Sequence, residues 1–335
     1  MDHQKERQMK KIKRLFKRKS IWFLLVLFVF IYVNNSSLFA KRGEGAPLLL
    51  AHRGLAQTFS MEGIENDTCT AERINEPEYP YLENTIPSME AAIKAGADLV
   101  EIDVQPTKDH NFVIFHDWTL DCRTNGQGVT RDYTTSELQA LDIGYGYTAD
   151  EGKTFPFRGK GIDLMPTLDE VLNYFPKTSF LIHIKSDDEN EGIQMANYLE
   201  KLPANRLEQL TVYGGDQPIA ALRERLPSLR TMSKATLKKD LIIYMAIGWT
   251  GYLPTNLKHG QLHIPEKVAP WLWGWPNRFL KRMDNADTRV IVVGGNGSGF
   301  SSGFDTSADI KRLPEDYSGG IWTNRIDKIA PLYNK

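Results

Sequence analysis

The chain has 335 residues, 41% hydrophobic and 25% charged, enough for one large domain or two small ones with ample core. Lys and Arg number 41 against 42 Asp and Glu, and the net charge of -1 excludes a whole-molecule nucleic-acid binder by electrostatics. Only two cysteines occur, Cys69 and Cys122. In an oxidising compartment they could pair; the alternative is two unpaired buried thiols.

The near-neutral total hides an asymmetry. The segment from Lys5 to Lys19 is dense in Lys and Arg, and an apolar run from Ile21 to Val33 follows it. A basic flank before an apolar run reads as membrane targeting. Continuing to Ala40 brings the run to the ~20 residues a spanning helix needs. Leu38-Phe39-Ala40 is a poor small-x-small cleavage site, so an uncleaved anchor is favoured over a signal peptide. A buried core helix would leave the basic flank without purpose. The expected organisation is a basic cytoplasmic tail over 1–20, a transmembrane anchor over 21–40, a linker over 41–46 and a folded domain over 47–335. The positive-inside rule then gives a single-pass protein of the cell membrane with that domain extracytoplasmic.

Leu48-Leu49-Leu50-Ala51 is a continuous apolar run of the kind found in buried parallel strands, and it ends at His52-Arg53-Gly54. A His-Arg pair at the carboxyl end of such a strand stands where α/β sites are built. The planar fork of Arg53 suits phosphate or carboxylate. Residues 55–81 are polar, acidic and without period, and read as a loop over the strand ends, a potential lid. Glu83-Asn84-Thr85 precedes a helical pattern at Ile86, Met89, Ala92 and Ile93, with Pro87 in its first turn. Glu83 could cap that helix or orient Arg53 or His52.

The next strand, Leu99-Val100-Glu101-Ile102-Asp103-Val104, carries two acids two residues apart, hence on one face. Two carboxylates on an otherwise apolar strand need a divalent cation or a cationic neighbour. The link to Phe112-Val113-Ile114-Phe115-His116-Asp117 is too short for a crossover, so the two runs form an antiparallel hairpin. A turn centred near Asp109 and His110 sets His116 roughly opposite Asp103. Farther on, His183 and Lys185 share one face of a strand from Phe180. Together these suggest two histidines, His52 and His116, flanking a metal or phosphate site, with Arg53 and Lys185 supplying positive charge for an anion. His110, His259 and His263 have no evident partner. Gly294 to Gly299 could cradle a phosphate but reads more simply as a turn. The aromatic run from Trp271 to Trp275 could line a groove, face a membrane or pack in the core.

Strands beginning at Leu48, Leu99, Phe180, Leu210, Leu229, Leu262, Val290 and Ile321 alternate with helices. About eight such units are the pattern of an α/β (β/α)8 TIM barrel, here behind an N-terminal transmembrane helix.

At these residues the chain resembles a family. His52-Arg53-Gly54, Glu83-Asn84-Thr85, the stretch from Gly96 to Asp103, and His116-Asp117 match in order the signature of glycerophosphodiester phosphodiesterases. Residues 119–128, 165–172 and 320–324 also look like that family. The resemblance implies a metal-dependent barrel that cleaves a phosphodiester to glycerol 3-phosphate and an alcohol. It implies Glu101 and Asp103 as ligands of Ca2+ or Mg2+, His52 and His116 as general acid and base, and Arg53 on the phosphate; Glu83 and Lys185 are expected at that phosphate from the reading of the residues themselves. The substrate would be a small-molecule or lipid phosphodiester.

Two departures stand out. The stretch between Gly54 and Glu83 is longer than usual in the family, which points to a specialised head group. The strand at Phe180 carries His183-Ile184-Lys185 where the family has Glu-x-Lys, the Glu being a third metal ligand. A neutral imidazole removes one negative charge, and it suits Zn2+ or Mn2+ better than a hard cation. Two alternatives follow: a phosphodiesterase acting on intact or lyso-phospholipid, and a non-catalytic phosphodiester-binding module with an altered metal site.

Overall fold

The computed structural model describes every residue except 1, 41–42, 44, 66–67, 297–301, 316 and 335. Strands β1 (Leu48–His52), β2 (Leu99–Pro106), β3 (Phe112–Ile114), β4 (Ser179–Ile184), β5 (Leu210–Gly214), β6 (Arg230–Ser233), β7 (Gln261–Pro265), β8 (Arg289–Val293) and β9 (Gly320–Thr323) follow in chain order. All but β3 lie parallel, in the spatial order β6-β5-β4-β2-β1-β9-β8-β7. A parallel bridge between Thr231 and Gly260 brings β6 to the start of β7 and closes the ring. This is the TIM barrel expected from the alternation of strands and helices.

Side-chain alternation explains where the core and the acids go. Val100, Ile102 and Val104 point outward and pack with Met89, Leu168 and Val171 under the helices. Leu99 points inward with Leu50, Leu181, Tyr213, Met232, Ile291, Val293 and Trp322, filling the barrel. Glu101 and Asp103 share the inward face with Leu99 and lie nearer the carboxyl ends of the strands.

Local sequence fixes several element starts. Thr85 and Ser88 form a capping box at the helix Ile86–Lys94, and Thr167 with Glu170 does the same at Leu168–Tyr174. Gly54 adopts φ +83°, and a Cβ there would come within 2.7 Å of the Ser88 backbone carbonyl carbon. Only glycine lets the chain turn out of β1 so close to that helix.

The β2–β3 hairpin forms, one residue out of the expected register. Val104 pairs with Ile114, and the Phe115 amide donates to the Asp103 carbonyl at 3.0 Å. His110 takes the turn with φ +61°. His116 therefore lies just beyond the end of β3, leaving the sheet beside the site instead of standing across from Asp103.

The described residues within 55–81 are tied down at several points. Gln57 Nε2 donates to the carbonyls of Tyr79 and Tyr81, and Arg325 grips Glu78 through two 2.8 Å bonds. Cys69 and Cys122 form a disulfide.

The N-terminal helix runs without a break over Asp2–Asn35. Its segment Lys17–Asn35, 19 residues, is long and apolar enough to cross a membrane. Its end is clamped to the barrel. Arg282 Nη2 donates to the Asn34 carbonyl at 2.8 Å, and the side chains of Asn34 and Asn35 both donate to the Trp249 carbonyl at 2.9 Å. Within the aromatic run, Trp271 is exposed, whereas Trp273 Nε1 donates to the Met245 carbonyl and Trp275 lies against Tyr317. Of the Gly294–Gly299 turn, residues 297–299 lie outside the described set.

Candidate active site

The barrel register assembles the centre. Asp103 on β2 pairs with His183 on β4, which pairs with Tyr213 on β5; on the other side His52 of β1 pairs with Glu101. Both acids are fully buried.

Asp103 is surrounded by donors. Its Oδ1 lies 2.9 Å from His183 Nδ1 and 3.5 Å from Lys185 Nζ. Its Oδ2 takes the Asn84 side-chain amide at 3.0 Å and lies 3.0 Å from Arg53 Nε. Burial alone would raise its pKa, but Lys185 and Arg53 hold the carboxyl well below the usual range. Glu101 is placed differently. Tyr213 donates its hydroxyl to Oε1 at 2.7 Å, while Oε2 is buried with no hydrogen-bond partner among the described residues. Burial, reinforced by Asp103, pushes the Glu101 carboxyl up. The ring of His183 stacks on Tyr213, centroids 4.1 Å apart and planes 12° apart.

His52 has a defined tautomer. Asn324 Nδ2 donates to Asp305 Oδ2 at 2.9 Å, which turns Asn324 Oδ1 towards His52 Nδ1 at 2.7 Å. The proton is therefore assigned to Nδ1, from the hydrogen-bond network. The bare Nε2 then lies 3.8 Å from the unpartnered Glu101 Oε2. Two lone-pair atoms facing each other in a buried site call for something electropositive between or beside them. Glu101, Asp103 and His183 each offer a ligand atom, all within 4.8 Å of one another, so the donor set fits a metal cation. Burial and then Arg53 push the His52 imidazole down to about 3.

His116 Nδ1 lies 2.6 Å from Asp117 Oδ1. Its pKa is lowered by burial, then by Arg53 and Lys185. Asp117 is held below the usual carboxylate range: burial raises it, and Arg123 outweighs that.

A buried guanidinium ties these parts together. Arg123 Nε lies 2.8 Å from Asp117 Oδ2 and its Nη1 3.5 Å from Glu83 Oε2. It also donates to the hydroxyls of Tyr147 at 2.9 Å and Thr70 at 2.7 Å. Glu83 accepts from Arg53 Nη1 at 2.9 Å on its other oxygen. Glu83 therefore faces two arginines. The Arg53 backbone sits in the left-handed region, φ +58°, as does Asn84 at +59°. Asn84 exchanges two bonds with Asp103, through its side-chain amide and the Asp103 N–H. Such conformations in non-glycine residues persist where surrounding contacts over-determine them.

All eight residues singled out in the sequence thus meet in one network at the strand ends. Arg123, Asn84, Tyr213 and Asn324 belong to it as well. Arg123 and Asn324 lie in stretches that resemble the family; Tyr213 gave no signal, being an aromatic on an apolar strand. His263 lies inside the barrel, edge-on to Tyr213 and Trp322. His259 is an exposed residue bonded to Asp287.

Residues 52–243 match the model of the glycerophosphoryl diester phosphodiesterase family. The chain belongs to that family, whose members are phosphoric diester hydrolases. A Bacillus subtilis protein named putative glycerophosphodiester phosphodiesterase is 42% identical over 113 residues, 33% of this chain and 43% of that one. A human lysophospholipase D is 31% identical over 138 residues, 40% of each chain. The chain thus spans about two fifths of the length of these curated relatives. The solved phosphodiesterase domain of a Mycobacterium tuberculosis protein superposes with a TM-score of 0.61, over 86% of this chain and 99% of that one, at 15% identity. That likeness is one of fold.

Proposed function

We propose that the protein hydrolyses glycerophosphodiesters to glycerol 3-phosphate and an alcohol, from an N-terminal membrane anchor with its barrel on the extracytoplasmic side. One observation carries the reading. Two imidazoles, each oriented through Nδ1 by its own partner, Asn324 for His52 and Asp117 for His116, belong to one network with a fixed arginine and a buried acid pair.

In this reading Arg53, steadied by Glu83 and Asp103, uses its remaining N–H groups on the phosphate, and Lys185 adds a second positive charge. Glu101, Asp103 and His183 would hold a divalent cation, which supplies charge neutralisation at the phosphate oxygens. With Nδ1 engaged, each histidine keeps Nε2 for proton transfer. One ring accepts the proton of the attacking hydroxyl, and the other protonates the leaving alkoxide. Glu83 acts on Arg53 and does not touch substrate.

The test is release of glycerol 3-phosphate from glycerophosphocholine by the full chain. His52→Ala and His116→Ala should each remove turnover, by roughly 100-fold or more, with the circular dichroism of the barrel retained. Near-normal turnover in either variant overturns the acid–base assignment.

A second reading is a phosphodiesterase on lysophospholipid. Two observations favour it: the apolar helix Lys17–Asn35 and the likeness to a human lysophospholipase D. Faster turnover of lysophosphatidylcholine than of glycerophosphocholine would select it.

A further inference from the structure

We infer that His183 makes the centre a mixed nitrogen–oxygen site that takes a nitrogen-tolerant first-row cation such as Zn2+ in preference to Ca2+ or Mg2+. The inference deepens the phosphodiesterase reading and rests on it only for what the cation does in turnover.

The argument is a count of donors. Glu101 Oε1 is taken by the Tyr213 hydroxyl, and Asp103 Oδ2 by Asn84 and Arg53. Glu101, Asp103 and His183 nevertheless each offer one ligand atom, all within 4.8 Å of one another, and Glu101 Oε2 has no hydrogen-bond partner among the described residues. Two are oxygens and one is an imidazole nitrogen. Ca2+ collects about six to eight oxygens, and Mg2+ about six in near-ideal octahedral array. Two carboxylate oxygens fall far short for Ca2+; Mg2+ can fill its shell with water and substrate oxygens, but the imidazole nitrogen in the set favours a softer first-row cation over it. The charge is short as well, because Arg53 and Lys185 already compensate Asp103. A hard cation, bound by electrostatics to oxygen, loses on both counts. Three protein donors of the His and carboxylate kind with a further position open are the pattern of a catalytic zinc site.

The nitrogen is also held in place. His183 Nδ1 lies 2.9 Å from Asp103 Oδ1 and 3.7 Å from Glu101 Oε1, and the ring is flat against Tyr213. Tyr213 thus fixes the imidazole by stacking and Glu101 by hydrogen bonding, as outer-sphere partners of metal ligands do. Coordination through Nδ1 requires the ring proton to sit on Nε2, so the hydrogen bond to Asp103 and the metal are alternatives at the same nitrogen.

The experiment uses the full chain in detergent, stripped with a chelator and dialysed against equal Zn2+, Co2+, Ca2+ and Mg2+, with bound metal measured by mass spectrometry. Zn2+ should be retained over Ca2+ and Mg2+ by roughly 100-fold or more. Co2+ loaded alone should give intense visible bands that change when the imidazole is removed. His183→Gln should lower Zn2+ and Co2+ affinity roughly 10–100-fold without raising that for Ca2+. His183→Glu should narrow the gap by improving Ca2+ and Mg2+ binding. Preferential retention of Ca2+ or Mg2+ by the unaltered chain, or an unchanged selectivity in His183→Gln, overturns the inference. Hydrolysis is read separately. Retained Zn2+ with no turnover counts against the phosphodiesterase reading alone, whereas turnover supported only by Ca2+ or Mg2+ counts against this inference alone.

Discussion

Arg123 Nε lies 2.8 Å from Asp117 Oδ2, and through that contact one buried guanidinium steadies the partner of His116 while its Nη1 faces the partner of Arg53. Removing it takes one of two partners from buried Glu83 and from partly buried Asp117, leaving them Arg53 and His116, a loss below the ~3–5 kcal/mol of a fully stranded buried charge. Arg123→Met should therefore lower the melting temperature. Arg123→Lys keeps the charge but cannot reach Asp117, Glu83, Tyr147 and Thr70 together. It should lower kcat roughly 10-fold or more and raise KM, because His116 and Arg53 both lose their alignment. Unaltered kinetics in the Lys variant would remove Arg123 from the positioning network.

Stability should fall as the pH drops below neutrality. His52 and His263 are pushed down to about 3, and His116 and His183 are lowered, all chiefly by burial. Between these values and the unfolded value near 6.5, the unfolded chain binds protons that the folded barrel refuses. Their stabilisation is thus complete above ~6.5 and is lost on acidification. Glu101 acts the other way, since its raised carboxyl favours folding while protonated and loses that as pH rises. Four histidines outweigh one acid. For His52 alone the loss at about pH 5 is about 2 kcal/mol. Thermal unfolding of chelator-treated protein should show a midpoint several degrees lower at about pH 5 than at about pH 7; a flat or reversed trend contradicts the buried neutral imidazoles.

The Cys69–Cys122 disulfide closes a loop with a sequence separation of 53. Chain entropy alone assigns such a cross-link about 4 kcal/mol. It also holds the insertion against the segment carrying Arg123, which bonds Thr70. Cys69→Ser combined with Cys122→Ser should lower the unfolding midpoint and speed proteolysis between residues 55 and 81. Equal protease resistance with and without the bond would show that Gln57, Glu78 and Tyr79 hold the insertion unaided.

Arg282 gathers the end of the N-terminal helix, donating to the Asn34 carbonyl and to Asn35 Oδ1 at 3.1 Å. It also donates to the Tyr244 hydroxyl and the Gly248 carbonyl. Cationic groups on the last carbonyls of a helix are favourable. Arg282→Ala should leave the barrel folded and loosen its junction with the helix, seen as faster hydrogen exchange over residues 33–40. Unchanged exchange there would mean that the Trp249 carbonyl, together with the Ser37 hydroxyl that donates to the Gly274 carbonyl and accepts from the Asn277 N–H, suffices for the junction.

Local chemistry made much of this molecule legible from its sequence. A period of two set Glu101 and Asp103 on one face, and buried acids need compensation wherever they occur. Apolar runs at strand length, separated by helices, indicated the barrel, and Pro87 in the first turn ahead of Met89, Ala92 and Ile93 marked a helix by a purely local pattern. Such signals survive in sequence because they depend on neighbours within a few residues. Tertiary structure alone decided the rest. The hairpin register slipped by one, since the turn at His110 tightened around Thr107 and Asn111. Whether the cysteines pair, which cation faces which acid, and that Tyr213 lies beneath His183 all depend on strands far apart in sequence becoming neighbours. Barrel closure sets those distances, and no spacing along the chain encodes them.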